Sequence, residues 1–443
     1  MYYFKSHVLL LLSSLILIKS ASAQVKNTEV ISPSPVKIQA QLDEYLSTLT
    51  RLKKFNGCIY VRANDQDILK KAYNISANSK SSLHVDTASQ FDIHSVSKLM
   101  AYSILAKLQD EHKVKLTDTL SKYLPNFPNA SQITINQLLQ HKSGLPRELR
   151  SKPHQALKLT PDEIISAASK EKLDFAPGSN TLYSNVGYEV IYYLIGKLTH
   201  KRFVECVKEY IFEPLHMNAS GAHFFISHSN LRYPALNHQL QEGVITQIPN
   251  ITEDDFSTAR IYSSTRDLMR YLQSLHNDPY CSVLSDTNGI IQKNGGADGI
   301  RAQIYTDTRL NYSFVLLSNY DEIPFQQTVI DLVNIIEGKP YQLPAEINRK
   351  AVDVPVDVLR RYIGKYDFTE ANHTKLEFRV EGSHLVLYQN GKKLQTLFAE
   401  SKALFFEDPK SPVSYEFKSN GNKWEVMWNS QGVQFKGVKF GVE

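Results

Sequence analysis

Cysteine is scarce. Three in 443 residues (Cys58, Cys206 and Cys281) allow at most one bridge and exclude a disulfide framework, even in an oxidising compartment. Cys58, in the apolar run GCIYV, and Cys206, in a helical pattern, read as buried small hydrophobes. Metal and cofactor signatures are missing as well. None of the 14 histidines stands in a His-Glu-x-x-His pair, no paired-cysteine zinc spacing occurs, and there is no glycine-rich phosphate loop. No cofactor is therefore expected. Nor does charge of one sign accumulate: a formal +5, dispersed along the chain, gives no basis for binding nucleic acid.

Runs apolar enough to span a bilayer are also wanting. The stretch from Val8 to Ile18, within MYYFKSHVLLLLSSLILIKSASAQ, falls short of the roughly 20 residues that a spanning helix needs. With a lysine before it and the small-residue site Ala21-Ser22-Ala23 after it, the segment 1–23 reads as a secretory signal peptide. Its removal takes away Lys5 and Lys19 and no acidic residue, leaving +3. The expected mature protein is secreted or periplasmic, with no stable membrane span.

What is present describes a globular protein of more than one domain: 42% hydrophobic, 10% aromatic and 21% charged residues. Gly57 to Val61 and Ile68 to Tyr73 read as strands joined by the turn residues Ala63-Asn64-Asp65. From Val96 to Leu108, apolar Leu99, Met100, Ile104, Leu105 and Leu108 recur at helical spacing. The same period marks helices over Val186 to Leu198 and Phe203 to Phe212, and Ser264-Thr265-Arg266-Asp267 predicts a capping-box start to a helix through Leu275. Strands return at Arg301 to Thr306 and Tyr312 to Ser318, before a last helix near Gln327 to Ile336. Strands at both ends with helices between predict an α+β unit whose termini complete one antiparallel sheet. Gly338, Pro340, Pro344 and Pro355 then interrupt every pattern, and beyond them short segments alternate apolar and polar residues between Asn-Gly and Asp-Pro turns. The expected organisation is an α+β domain over 24–336, a linker over 337–356 and a small antiparallel β-barrel over 357–443.

One Ser-x-x-Lys is placed to do chemistry. The spacing occurs at Ser34, Ser95 and Ser169, but Ser34 lies between prolines and Ser169 in the polar run SKEK. Ser95-Val96-Ser97-Lys98 stands where the loop FDIH meets a buried helix. Backbone amides exposed at a helix start favour developing negative charge. Lys98 falls on the same helical face, within about 5–6 Å at Cβ, where it can take up the hydroxyl proton. Further on, Tyr183-Ser184-Asn185 follows the turn Pro177-Gly178 and precedes a helix. Lys293-Asn294-Gly295-Gly296-Ala297-Asp298-Gly299 follows apolar Ile290-Ile291 and precedes a strand. Each alone is weak; Tyr388-Gln389-Asn390, for instance, also fits Tyr-x-Asn.

In this order and context the three groups resemble the motifs of the β-lactamase-related serine hydrolases, the superfamily of class C β-lactamases, D-alanyl-D-alanine carboxypeptidases and related esterases. FDIHSVSKLM, ITINQLLQHKSGLP, FAPGSNTLYSNVGYEVIYYLIGKL, IFEPLHM and NGGADGIRAQIYTDTRLNYSFVLLSNYD carry the resemblance from about Phe55 to Ile336. The tail LRRYIGKYDF is similar to a small β domain often appended to such proteins. The resemblance implies a penicillin-binding-protein-like α+β fold in which Ser95 is the nucleophile, Lys98 its activator and Tyr183 a second proton shuttle. It further implies that Asn185 bonds to substrate or Lys98, that Lys293, Asn294, Gly295 and Gly296 line the substrate site, and that the amides of Ser95 and Gly296 form an oxyanion hole. Two departures stand out: Asn294 matches neither the lysine- nor the histidine-bearing relatives, and Ala259-Arg260 replaces a Gly-Gly. Two readings follow. One is an acyl-transferring hydrolase of a small-molecule or peptide substrate, cell-wall-derived for example, with peptidoglycan peptidase, β-lactamase, esterase and D-aminopeptidase activities all open. The other is a catalytically silent scaffold that kept the fold.

Overall fold

The computed structural model describes residues 33–151, 159–222, 231–249, 260–276, 284–371, 374–421, 423–430 and 433–440. The signal segment, Cys281 and Ala259 lie outside them. The described residues form two compact units, one within Phe55 to Glu322 and one joining residues 33–54 with those from Ile323 onward.

The first described element, α1 (Pro35–Arg51), has proline at its first turn and Ser34 accepting the Lys37 N–H. In the unit that starts at Phe55, β1 (Gly57–Ala63) and β2 (Gln66–Tyr73) form a hairpin. Its turn residues Asn64 and Asp65 both adopt positive φ, as a tight hairpin turn requires. A short β3 (Phe91–Asp92) leads into the turn His94–Val96 and then α2 (Ser97–Asp110), which is buried along nearly its whole length. Helices α5 (Asn185–Thr199) and α6 (Phe203–Val207) pack against it, and α3 (Ile135–Leu139) and α4 (Pro161–Ala168) pack against α5. The predicted single helix from Phe203 to Phe212 in fact widens into a π turn over Lys208–Phe212.

After β4 (Gly221–Ala222), the hairpin β5 (His238–Gln241) and β6 (Val244–Gln247), and β7 (Ile261–Ser263) comes α7 (Thr265–His276). Ser264 caps α7 at the Asp267 N–H as expected. The Asp267 carboxylate does not close a box; it accepts from the Ala219 N–H and the Ser220 hydroxyl. Strands β8 (Ile290–Ala297), β9 (Ile300–Asp307) and β10 (Tyr312–Ser318) then complete a five-stranded antiparallel sheet in the order β2-β1-β10-β9-β8. The chain's first and last strands of the unit thus pair directly, Gly57 opposite Ser318.

In the other unit, α1 and α8 (Phe325–Ile336) are joined by a buried bond from the Tyr45 hydroxyl to Asp331. The extended segment after α8 lies against the barrel, with the Arg349 and Val352 N–H groups donating to Pro409 and Ala399 carbonyls. Past α9 (Val356–Leu359), eight antiparallel strands, β11 (Gly364–Phe368) through β18 (Val433–Phe440), close into a barrel. Its interior is aromatic, including Tyr366, Phe378, Tyr415, Phe417 and Trp428. Among the described residues no helix is long and apolar enough to cross a membrane.

Candidate active site

Ser95 occupies the middle of the turn that feeds α2, so its position is fixed by what holds that turn. Residues three apart on a helix share a face, and Lys98, buried one turn on, donates from Nζ to Ser95 Oγ at 3.0 Å. Tyr183, from the loop before α5, donates its hydroxyl to the same oxygen at 2.8 Å. Side chains three and 88 positions from Ser95 therefore converge on its hydroxyl.

The segment that carries Tyr183 is pinned by hydrogen bonds to a loop that sequence reasoning assigned no role. The N–H groups of Gly178, Leu182 and Asn185 donate to the carbonyls of Lys142, His141 and Arg147. Ser184 caps α5 at the Gly187 N–H while its hydroxyl donates to the Pro146 carbonyl. That loop is shaped by Gly144, whose φ is +81° and whose added Cβ would lie 2.2 Å from the Phe175 carbonyl oxygen.

Strand β8 supplies the third side. An added Cβ at Gly295 would sit 2.1 Å from the Ile93 oxygen and 2.9 Å from the Ser95 nitrogen, so only glycine lets the strand lie against the Ser95 turn. Side chains alternate along a strand, which puts Lys293 on the same face as Gly295. Its Nζ lies 5.1 Å from the centre of the Tyr183 ring. Asn294 and Gly296 fall on the opposite face, Gly296 paired with Arg301. The Asn185 amide donates to Glu148 Oε1 at 2.6 Å.

Cations dominate around Tyr183. Lys98 Nζ and the Arg147 guanidinium lie 5.4 and 5.2 Å from its ring centre. Burial pushes the phenol up, but the Lys98 and Lys293 ammonium groups, with hydrogen bonds to Ser95 and Lys98, outweigh it and bring Tyr183 down to about 7. Burial, then Tyr183 in the opposite sense and Lys98, leave the Lys293 ammonium below its ordinary value. His141 stacks 4.4 Å from the Tyr183 ring and is held well below the usual histidine range by burial and by Lys293, Lys98 and Arg147. It is neutral, with Nδ1 accepting the Ser184 N–H. A phenol beside two ammonium groups can accept the serine proton at neutral pH.

The Beta-lactamase family model matches residues 48–333, well over half of the chain. The chain belongs to the β-lactamase family. Among relatives of this family member, Penicillin-binding protein 4* of Bacillus subtilis is 25% identical over 421 residues, covering 82% of this chain and 90% of the relative. Teichoic acid D-alanine hydrolase of Staphylococcus aureus is 26% identical over 236 residues, covering 53% of this chain and 57% of the relative. The fold is similar to that of the octameric penicillin-binding protein homologue from Pyrococcus abyssi, with a TM-score of 0.60 at 18% identity over 90% of this chain and 99% of that one. The β-lactamase family comprises serine hydrolases, and it is the fold in which Ser95, Lys98, Tyr183 and Lys293 meet.

Sequence reasoning missed His141, Arg147 and Glu148. The signal that could have found them is the run His141-Lys142-Ser143-Gly144-Leu145-Pro146-Arg147-Glu148, in which a histidine and three charged residues flank a Gly- and Pro-bearing turn.

Proposed function

We propose that the protein is an exported serine hydrolase working through an acyl-enzyme on Ser95. One observation carries this reading: Tyr183 and Lys98 both reach Ser95 Oγ, at 2.8 and 3.0 Å. Ionised Tyr183 takes the Ser95 proton as Oγ bonds to a carbonyl carbon, and the N–H groups of Ser95 and Gly296 hold the resulting oxyanion. The bond to the leaving nitrogen or oxygen then breaks as that atom receives the proton. Water, deprotonated in the same way, releases the acyl group and restores the hydroxyl.

The substrate is an amide, lactam or ester, with a preference for peptides or lactams bearing a carboxylate. Lys293, beside Tyr183 on β8, supports that preference. A charge-assisted hydrogen bond contributes roughly 1.5–3 kcal/mol, which at about 1.4 kcal/mol per tenfold corresponds to a ten- to hundredfold preference over the amide or methyl ester. Relatives named for penicillin binding and for D-alanine hydrolysis make β-lactams, D-alanyl esters and D-alanyl-D-alanine peptides the first compounds to try. The test is labelling with a fluorescent penicillin and a fluorophosphonate, followed by mapping of the adduct. An adduct on Ser95 supports the reading; no labelling of folded protein by either reagent favours a silent scaffold.

A further inference from the structure

Beside the nucleophile turn lies a buried ion pair that the chemistry above does not use. Asp92, at the end of β3, and Arg260, just before β7, have side chains only 3% and 7% exposed. The Arg260 guanidinium donates from Nη2 to Asp92 Oδ2. The other carboxylate oxygen, Oδ1, accepts the His94 N–H at 3.1 Å, and His94 Nε2 lies 3.6 Å from Oδ2. His94, the residue before Ser95, has φ of +44°, a conformation that a non-glycine residue keeps only when its surroundings impose it.

The surroundings do impose it, from two sides. Gly295 on β8 presses against Ile93 and Ser95. Opposite, β3 and β7 pair in antiparallel register, Asp92 across from Tyr262, and the Ile93 N–H donates to the Ile261 carbonyl at 2.9 Å. The Arg260–Asp92 pair closes this second clamp and passes its hold to the backbone of His94. Taking two charges out of water is costly, and a buried pair is weak evidence of stabilisation; orientation is the better-attested return. The glycine that the family resemblance leads one to expect at 260 would leave Asp92 without this partner.

We propose that Arg260 is a positioning residue for the reaction: acting through Asp92 and the His94 backbone, it holds Ser95 Oγ at the point where Tyr183 and Lys98 converge. This rests on Ser95 being the nucleophile. A misplacement of about 1 Å can cost on the order of a hundredfold in rate, so the effect should fall on the acylation step and leave reversible binding alone.

The experiment measures the first-order acylation rate constant and the reversible binding constant of full-length protein, with Tm alongside, for four variants. Arg260→Met is expected to lower the acylation rate constant by about 10- to 100-fold without changing reversible binding. Arg260→Lys recovers part of the rate, because lysine restores the charge without the planar fork. The double variant Asp92→Asn/Arg260→Met also removes the carboxylate charge that Arg260 faces, so it recovers Tm but not rate; it also carries the test if Arg260→Met does not fold. Tyr45→Phe, which loses a buried bond in the other unit, keeps the wild-type rate at a lower Tm. An unchanged rate constant in folded Arg260→Met overturns the proposal. So does a rate that returns together with Tm in the double variant, which is what a merely structural pair would give. Failure of the underlying reading is distinguishable, because Ser95→Ala would then still be acylated.

Discussion

Buried tyrosines occur in both units, and their surroundings give them opposite characters. In the barrel, Tyr366 donates to the Tyr362 carbonyl and Tyr415 to Glu407, and burial pushes both phenols far above their ordinary value, Glu407 adding to the effect at Tyr415. Beside Ser95, Tyr183 is just as hidden from solvent, yet Lys98 and Lys293 bring it down to about 7. Tyr188, one helical turn further along α5, stays protonated because burial dominates there. Burial alone keeps a tyrosine protonated as a hydrogen-bond donor; burial between ammonium groups draws it toward phenolate.

The largest expected effect tests the proposed nucleophile. Ser95→Ala abolishes covalent labelling while changing stability by about 1 kcal/mol, as a small change at a helix start does; intact labelling of that variant removes Ser95 from the chemistry. Next is Tyr183→Phe, expected to lower the acylation rate about 10²- to 10⁴-fold, the range for losing a positioned general base. Tyr415→Phe, its counterpart in the barrel, leaves the rate unchanged, and equal losses in the two variants would break the contrast.

Lys293→Met sharpens the comparison by removing one of the two ammonium groups. The Tyr183 phenol should rise, so the acidic limb of the acylation profile moves to higher pH, and the roughly ten- to hundredfold carboxylate preference disappears. A preference that survives the substitution takes Lys293 out of substrate recognition. The same ionisation enters stability. The folded value of Tyr183 lies below its ordinary 10, so the stabilisation from its phenolate is complete above about pH 10 and is lost as pH falls through about 7. Smallest of all is the effect of ending the chain at Pro344: the polar residues of the barrel strands alternate with core positions, and acylation should continue unchanged. A folded, shortened protein that never labels would show that the barrel region contributes to the site.

Much of this was legible in the sequence, for reasons that can be named. The 3.6-residue period of α2 and the apolar runs of β9 and β10 are local signals, as is the alternation of the barrel strands. Position sorted the three Ser-x-x-Lys sequences: Ser34 caps α1 and Ser169 closes α4 with a bond to the Ser166 carbonyl, whereas Ser95 faces Tyr183 and Lys98. The loop from His141 to Glu148 was not legible in the same way. Its part in the site depends on pairing with residues near 184, some 40 positions later, and no periodicity announces such contacts. The Asp92–Arg260 pair, 168 positions apart, is a stronger case of the same limit. Arg260 was noticed as an unexpected residue, but its partner is visible only once β3 and β7 lie side by side.

The central claim is that a tyrosine ionised by neighbouring lysines accepts the Ser95 proton. It is tested most directly by the pH dependence of the second-order rate of Ser95 acylation by a neutral fluorophosphonate, whose own charge does not change across the range. The expected profile rises tenfold per pH unit on the acidic side and levels off above about 7, with the midpoint following Tyr183 and moving upward in Lys293→Met. A rate that stays flat from pH 5 to 9, or a limb that survives unmoved in Tyr183→Phe, would contradict it.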